Sequence, residues 1–193
     1  MKNSVFSPFT TFLLQFGMLP KEVTSLLEEK LTRSEFPKRH ILVKKGSVCH
    51  RLYFIEKGLA RNYFEKDGKE LTNDIVMEGQ LLVSFSSFLS GQPSVESIEI
   101  LEDSIIHSLH FNDLQLLYKQ FPIMERTGRL IAEHHYKSLS EKNYMFRFNN
   151  ATERYLNLFN NRVGIIQRAP IGAIASYLGM SMETLSRIRS KLE

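Results

Sequence analysis

The sequence predicts an α+β fold in which an antiparallel, jelly-roll-like β-roll with flanking helices precedes a long helix and a C-terminal helix-turn-helix unit. Three observations predict it. Short β-branched and aromatic runs fill residues 35–111, and glycines separate them at intervals of roughly 10–12 residues. Apolar residues at helical spacing precede and follow that region. The final segment, 171–193, has two short helical patterns on either side of a glycine.

The composition is that of a globular protein. The chain has 193 residues, of which 42% are hydrophobic, and its 14 Phe and 7 Tyr are enough to form a core. No apolar run reaches the ~18–20 residues of a membrane span, and the N-terminal segment lacks a small-residue cleavage site. Cys49 is the single cysteine, which excludes an internal disulfide and a cysteine-based metal cage within one chain. We therefore expect a cytoplasmic protein with no membrane partner.

Charge is distributed unevenly along the chain. Residues 1–136 carry 16 basic and 17 acidic side chains, a net of −1. Residues 137–193 carry 9 basic and 4 acidic side chains, a net of +5. A basic C-terminal third on a near-neutral body favours a polyanionic partner, with an ordinary solvated basic face as the alternative.

The first two thirds of the chain are predicted to form helices and then strands. Residues 8–34 have helical spacing with a break at Pro20, and the period changes to that of strands from Glu35. Asp67-Gly68 is the strongest hairpin signal. The run 81–89 does not alternate cleanly, which indicates a short helix between strands.

Helical spacing returns after Phe111. Asn112 is the predicted N-cap of one helix, and Pro122 opens a much longer one. The length of helix 122–148 favours a dimer seam, although His134, His135 and Ser138 interrupt a strict heptad. We expect a hinge at 147–152, with Thr152 as the next N-cap. The predicted domains are therefore 1–148, a sensor with the long helix, and 149–193, the helix-turn-helix unit.

The most specific stretch is "IGAIASYLGMSMETLSRIRSKLE" at 171–193. It predicts a helix through Tyr177, a turn at Gly179 and a second helix capped by Ser181. Leu185 packs the second helix against the first, together with Ile174 and Ile188. The side chains that then point outward are Met182, Glu183, Ser186, Arg187 and Arg189.

This outward face has the chemistry of a DNA reader. In a major groove, Arg187 would hold a guanine bidentately and Glu183 would accept from a cytosine amine. The alternative is an ordinary helix ion pair, because the two residues are four apart. The expected phosphate contacts, which position the helix on double-stranded DNA, are Ser181, Thr184, Arg189, Lys191 and Arg168.

The chain from about Phe36 onward resembles the CRP/FNR transcription regulators, and "S-x-E-T-L-S-R-I" at 181–188 is the most diagnostic piece. The resemblance implies a cyclic-nucleotide-binding-domain-like β-roll, a long dimerising helix and a helix-turn-helix. It also implies a homodimeric bacterial DNA-binding regulator rather than an enzyme, in which a signal acts through the hinge. Met182 stands where some relatives carry a second base-contacting Arg, so the sequence preference is expected to differ. The sequence given ends at Glu193, so no wing is expected after the recognition helix.

A second function stays open at this point. The chain could be a ligand-binding module whose helix-turn-helix serves as a protein-interaction surface. A steep fall in DNA affinity with salt would separate DNA binding from this alternative.

The family's phosphate cassette resembles G-E-L followed about ten residues on by Arg-Ser, since an anion needs backbone N–H groups and a guanidinium. Here Ser84 falls on the Glu position and Ser94 on the Arg position. Each lost charged contact costs ~1.5–3 kcal/mol, so we expect no tight binding of cyclic AMP and no melting shift at millimolar concentration. No cofactor is assigned. The residues of this candidate effector pocket are Gly79, Val83, Ser84, Phe85, Ser94 and Val95.

Two interpretations of that segment remain. Its hydroxyls, with Phe85 and Phe88, could line a neutral pocket for an unknown small effector. Alternatively, the roll is filled by its own side chains and serves as a dimer scaffold.

Other candidate sites are weaker. His107 and His110 are three apart in a predicted strand and therefore face opposite sides, which makes a poor metal pair. His134 and His135 diverge on a helix, which favours surface or seam positions. Cys49 lacks an activating context. We find no catalytic spacing that supports an enzyme.

Overall fold

The computed structural model describes residues 6–191 and has the predicted α+β architecture. The helices are α1 (Pro8–Leu14), α2 (Lys21–Lys30), α3 (Phe85–Ser90), α4 (Phe111–Gln120), α5 (Pro122–Phe148), α6 (Ala151–Asn161), α7 (Val163–Arg168), α8 (Ile171–Tyr177) and α9 (Met182–Arg189). The strands are β1 (Thr32–Phe36), β2 (Ile41–Val43), β3 (Arg51–Lys57), β4 (Leu59–Lys66), β5 (Lys69–Met77), β6 (Leu81–Leu82), β7 (Ser97–Ile100) and β8 (Ser104–His110).

The strands form two antiparallel four-stranded sheets, ordered β1-β8-β3-β6 and β2-β7-β4-β5. The second sheet contains the predicted hairpin, in which β4 and β5 are joined by Asp67 at φ 52° and Gly68 at φ 71°. Two consecutive positive φ angles match the two-residue turn that suits the strand twist. The short helix predicted after Gly79 is also confirmed, as α3.

The N-terminal helical prediction is too long at its end. Residues 32–34 are not helical but belong to β1, where Thr32 pairs with Ser108 of β8. Helix α2 stops at Lys30, and Leu31 is already extended. The polar residues of β1 lack an alternating apolar pattern, so the edge strand left no periodic signal.

Two predicted caps are wrong by two residues. His110, not Asn112, caps α4, since its side chain accepts from the Asn112 N–H. Asn150, not Thr152, caps α6, in a capping box with Glu153. Because α5 runs to Phe148 and α6 starts at Ala151, the expected hinge at 147–152 reduces to two non-helical residues, 149–150.

Two clusters of buried residues hold the structure together. The larger lies within the roll and extends to α1, α2, α4 and the start of α5. The second combines apolar residues of α6–α9 with Leu59, Ile75 and Leu101 of the roll. The C-terminal helices therefore share a core with the roll, and the domain boundary at 148/149 stays a prediction.

Within residues 6–191, every helix is too short or too polar to cross a bilayer.

Candidate functional site

The turn between α8 and α9 is fixed by backbone geometry. Gly179 has φ 63°, and its N–H donates to the Ser176 carbonyl at 3.0 Å. The Met180 N–H donates to the Ala175 carbonyl at 3.0 Å. These two bonds are the Schellman motif that ends a helix at a left-handed residue. Ser181 then caps α9 by accepting from the Thr184 N–H at 3.2 Å, as the sequence predicted.

The inner faces of α8 and α9 pack as the sequence predicted. Leu185 is completely buried, and Ile188 and Ile174 are buried beside it. Ala175 is 2% exposed, so the small side chain lets the two helices approach closely. The orientation of α9 is therefore set by its apolar side.

The outer face of α9 is open to solvent. Met182 is 50% exposed, and Glu183, Ser186, Arg187 and Lys191 are exposed as well. Thr184 and Arg189 are half-buried. Among the described residues no salt bridge joins Glu183 to Arg187, so both side chains are available to a partner. The Ser181 hydroxyl lowers the pKa of Glu183, which keeps that carboxylate charged.

Two of the C-terminal arginines contact the roll instead of solvent. Arg168 was expected on phosphate, but its guanidinium bonds to both oxygens of Glu78 at 2.9 and 2.7 Å and also pairs with Glu102. Arg162 bonds to Gln80 at 3.0 Å and pairs with Asp74 at 3.5 Å. Roll carboxylates thus neutralise part of the +5 charge that the sequence assigned to this region. The basic residues of the α9 end have no salt bridge to another described residue: Arg187, Arg189 and Lys191.

The two serines of the predicted effector pocket meet inside the roll. Ser84 is completely buried, Ser94 is 3% exposed, and their Oγ atoms are 2.9 Å apart. Because Ser94 Oγ donates to the Glu96 carbonyl at 2.6 Å, the hydroxyl of Ser84 is the donor between the two serines. Ser94 also accepts from the Glu96 N–H. Both hydroxyls are therefore satisfied within the protein.

The sequence interpretation missed an acidic residue at this place. Glu96 is 8% exposed, and its Oε2 has no hydrogen-bond partner. Burial raises its pKa, although the Ser84, Asn62 and Asn73 side chains act in the opposite direction. Glu96 lies two residues after Ser94, a spacing that places side chains on one face of an extended segment, and that spacing was the available signal.

The other predicted pocket residues do not converge with the serines. Val83 is buried next to them, and its carbonyl accepts from Asn62 at 3.2 Å. Gly79 bonds to Ile55 at the far end of β3, Val95 is 60% exposed, and Phe85 is 36% exposed on α3. The set is thus split between the roll interior and its surface.

The histidines have separate structural contacts, apart from His110, which stacks on His50 at 6.0 Å. His107 is buried and lies 2.6 Å from Glu56, whereas His110 caps α4. His134 packs edge-on against Phe16, and His135 stacks on Phe85 at 4.5 Å. Over residues 6–191, no group of three or more potential ligands could hold a metal ion.

Known proteins resemble both the roll and the whole chain. Residues 33–121 match the cyclic nucleotide-binding domain family. No curated protein sequence matches the chain. The solved structure of FixK2 from Bradyrhizobium japonicum has 17% identity over 84% of each chain, with a TM-score of 0.72.

Two further solved structures cover still more of this chain. A CRP/FNR-family regulator from Eubacterium rectale has 15% identity over 88% of this chain and 82% of that one, with a TM-score of 0.68. The catabolite activator protein of Thermus thermophilus has 21% identity over 96% and 86%, with a TM-score of 0.58. Residues 33–121 are therefore a domain of the cyclic-nucleotide-binding type, and the fold of the chain is that of CRP/FNR-type transcription regulators.

Proposed function

We propose that this protein is a homodimeric transcription regulator that reads double-stranded DNA with α9. The observation that carries the proposal is the two-sided character of α9. Its inner face is buried through Leu185 and Ile188, and its outer face presents Glu183 and Arg187 without a salt bridge between them. A helix held in this way has one side free for a groove. We propose a regulatory rather than an enzymatic role, which this geometry supports.

Within this proposal each polar residue of α9 has a role. Arg187 and Glu183 read base edges, because guanidinium and carboxylate groups complement guanine and cytosine in the major groove. Ser186 and Met182 lie on the same exposed face. The helix is positioned on phosphates by Ser181, Thr184, Arg189 and Lys191. Arg168 is left out of this set, since Glu78 and Glu102 occupy it.

The dimer seam is proposed on the solvent side of α5. His135 stacks on Phe85 of its own chain and so does not interrupt the seam, whereas His134 and Ser138 are exposed. Tyr136 is 75% exposed and Leu139 is 48% exposed, which is costly for a helix without a partner. With Ala132 and Asn143, which are also exposed, these residues follow the 4-3-4 spacing of a coiled-coil stripe. Sedimentation as a monomer at micromolar concentration would contradict this seam.

The roll is proposed not to take cyclic AMP in the usual way. A cyclic phosphate is an anion and is best held by a cationic side chain, whereas Ser84 and Ser94 bond to each other and Glu96 adds a buried carboxylate. A carboxylate repels a phosphate, and the repulsion is strong where water is excluded. The site instead fits a roll filled by its own side chains.

The decisive experiment selects bound sequences from a random DNA pool and then compares the selected operator with random DNA. Arg187→Ala should reduce the affinity ratio between the two at least about 30-fold, since a bidentate base contact is worth ~1–3 kcal/mol and the dimer loses one in each half-site. Arg129→Ala is the matched control, because it removes the same charge from an exposed position on α5. An unchanged ratio in Arg187→Ala would show that this residue does not read bases.

Salt titration in the same assay separates DNA binding from the alternative of a protein-interaction surface. If Arg189 and Lys191 of each protomer contact phosphate, the dimer neutralises about four charges, and log K should fall with log[salt] at a slope of about −3.6. A slope near zero, or no selected sequence, would favour the interaction surface.

A further inference from the structure

A cavity of about 170 Å³ lies outside the roll and apart from the buried serines. One wall is the outer side of the β1-β8-β3-β6 sheet, where Leu52 and Leu109 stand opposite each other in register. Helices α1, α3, α4 and the first half of α5 form the other walls, through residues such as Phe9, Phe88 and Ile131. We call this space the α5 cavity.

The lining of the α5 cavity is almost wholly hydrocarbon and contains no charged side chain. The polar side chains there are Gln115, Tyr118 and Thr127. Thr127 Oγ1 already donates to the Ile123 carbonyl at 2.9 Å. Burial raises the pKa of Tyr118, so its hydroxyl stays neutral at physiological pH. The cavity therefore offers a charged ligand no partner.

The glycine in α5 helps to shape this wall. A Cβ on Gly128 would lie 2.2 Å from the Tyr118 hydroxyl oxygen, so only glycine lets the phenol cross α5 at this level. Glycine inside a helix costs about 1 kcal/mol relative to alanine. The close approach of Tyr118 is the structural reason for accepting that cost.

The segment 83–95, which aligns with the phosphate cassette, faces two different environments. Ser84 and Ser94 face the roll interior, whereas Phe85 and Phe88 of α3 line the α5 cavity. The neutral pocket that the sequence suggested for serines and phenyl rings together thus becomes two environments. The serine hydroxyls are hydrogen-bonded within the roll, and the two phenyl rings border the α5 cavity.

We propose that the α5 cavity binds a small, uncharged, apolar molecule of about the size of one or two aromatic rings. An apolar cavity of about 150 Å³ lined by Leu, Ile and Phe binds benzene, and this cavity has similar volume and lining, with an opening to solvent beside the exposed Leu89. An occupant would restore the dispersion contacts that the lining side chains lack.

The geometry excludes larger occupants. An α-helix with side chains is about 10–12 Å across, so a whole helix of a second copy does not enter this volume. A small molecule held between the roll, α3 and α5 would stabilise α5 against the sheet.

The test uses benzene and indole as probes and the full chain without DNA. Binding should raise the melting temperature saturably, by about 3 °C at tenfold excess over Kd. In methyl NMR spectra the resonances of Leu52, Leu109 and Ile131 should shift, while those of Leu59 and Ile165 in the second cluster should not. Absence of a saturable shift with both probes, or shifts confined to the second cluster, would overturn the proposal.

A matched pair of variants locates the site independently. Leu52→Phe adds a ring to the cavity and should weaken benzene binding at least tenfold. Leu71→Phe makes the same change at a position 46% exposed on β5 and should leave binding unchanged. Equal binding by both folded variants would contradict the assignment, and if Leu52→Phe fails to fold, the NMR map of the unmodified protein decides. Because no DNA is present, these outcomes are separate from the proposed regulatory function.

Discussion

Glu96 sits in the roll with one carboxylate oxygen unpartnered and 8% of its surface exposed. Burial is the main reason for its raised pKa, and Asp74 acts in the same direction. Burial lowers the pKa of Lys142 of α5, and the negative charge of Glu96 acts in the opposite direction on that pKa. A charged carboxylate held in this way opposes folding at neutral pH, since its desolvation is not fully repaid by hydrogen bonds.

We predict that Glu96→Gln raises the free energy of unfolding by about 1 kcal/mol at pH 7, because the amide keeps the shape and removes the charge. A raised folded-state pKa means that the native protein binds the proton more tightly than the unfolded chain. The wild type should therefore gain stability as pH falls toward 4.5, and its difference from Glu96→Gln should shrink. Urea unfolding at pH 7 and pH 4.5 measures both effects.

Glu65→Gln is the control, because Glu65 is exposed on β4 and should change stability little. If Glu96→Gln lowered the stability at neutral pH, the prediction would be wrong, because the Glu96 carboxylate would then stabilise the fold despite its burial.

Residues whose role depends on near neighbours were predictable, and those that depend on distant partners were not. Ser181 caps α9 because of its own position in the chain. The Ser84–Ser94 contact brings together two segments around α3, and the resemblance to a cassette located it. Glu96 directly follows residues 79–95, which contain no charged side chain, and only the structure shows that Glu96 is buried.

At the scale of elements, helices α8 and α9 and the turn between them are the best-predicted features. The turn follows from glycine conformational freedom and the helix packing from i, i+3 and i+4 apolar spacing, both of which are local. The α6 cap was wrong because Asn150 and Thr152 are both capping residues, and only the reciprocal bond with Glu153 distinguishes them. Helix α7 was not predicted, since its six residues are too few to show a period.

Two glycines near this turn should respond to alanine in opposite ways. Gly179→Ala forces alanine to φ 63° and places its Cβ 3.2 Å from Phe146, so we expect a loss of at least about 1 kcal/mol. Gly172→Ala lies inside α8 with only an ordinary contact at 3.6 Å to Met182, so we expect a gain of about 0.5–1 kcal/mol. Urea unfolding of the pair measures both signs.

Equal effects of the two substitutions would contradict the cost assigned to the left-handed conformation of residue 179. Gly172→Ala also serves as the control for any general effect of replacing glycine in the C-terminal helices.

At the scale of the whole molecule, the C-terminal helices dock on the roll. The Thr72 N–H of β5 donates to Ser176 Oγ of α8 at 2.8 Å, and Arg162 reaches Asp74 and Gln80. Ile75 and Leu101 of the roll complete the apolar cluster of α6–α9. These contacts join residues roughly 60–110 positions apart, so no periodicity or motif in the sequence could have predicted them. Docking also explains why the charge excess of residues 137–193 is not all available to a polyanion.

Arg168 makes two of the ion pairs that join the C-terminal helices to the roll. It pairs with Glu78 and Glu102, and the Arg168 guanidinium lowers the pKa of Glu78 to about 2. Arg168→Ala should lower the free energy of unfolding at pH 7 by about 1 kcal/mol, because charge-assisted bonds worth ~1.5–3 kcal/mol are weakened here by partial solvent exposure. It should also loosen α7 from the roll, which amide hydrogen exchange would detect as faster exchange in α7 and α8.

The pH dependence of that difference follows from the lowered pKa of Glu78. The carboxylate contributes stability above its unfolded-state pKa of 4.5 and loses the contribution as pH falls toward about 2. The stability gap between wild type and Arg168→Ala should thus be constant from pH 6 to 8 and narrow below pH 4.5. Arg129→Ala, which breaks an exposed pair with Glu133, should show a gap near zero throughout. A gap for Arg168→Ala that is absent at pH 7, or unchanged at pH 3, would mean that the ion pairs with Glu78 and Glu102 do not hold the C-terminal helices to the roll.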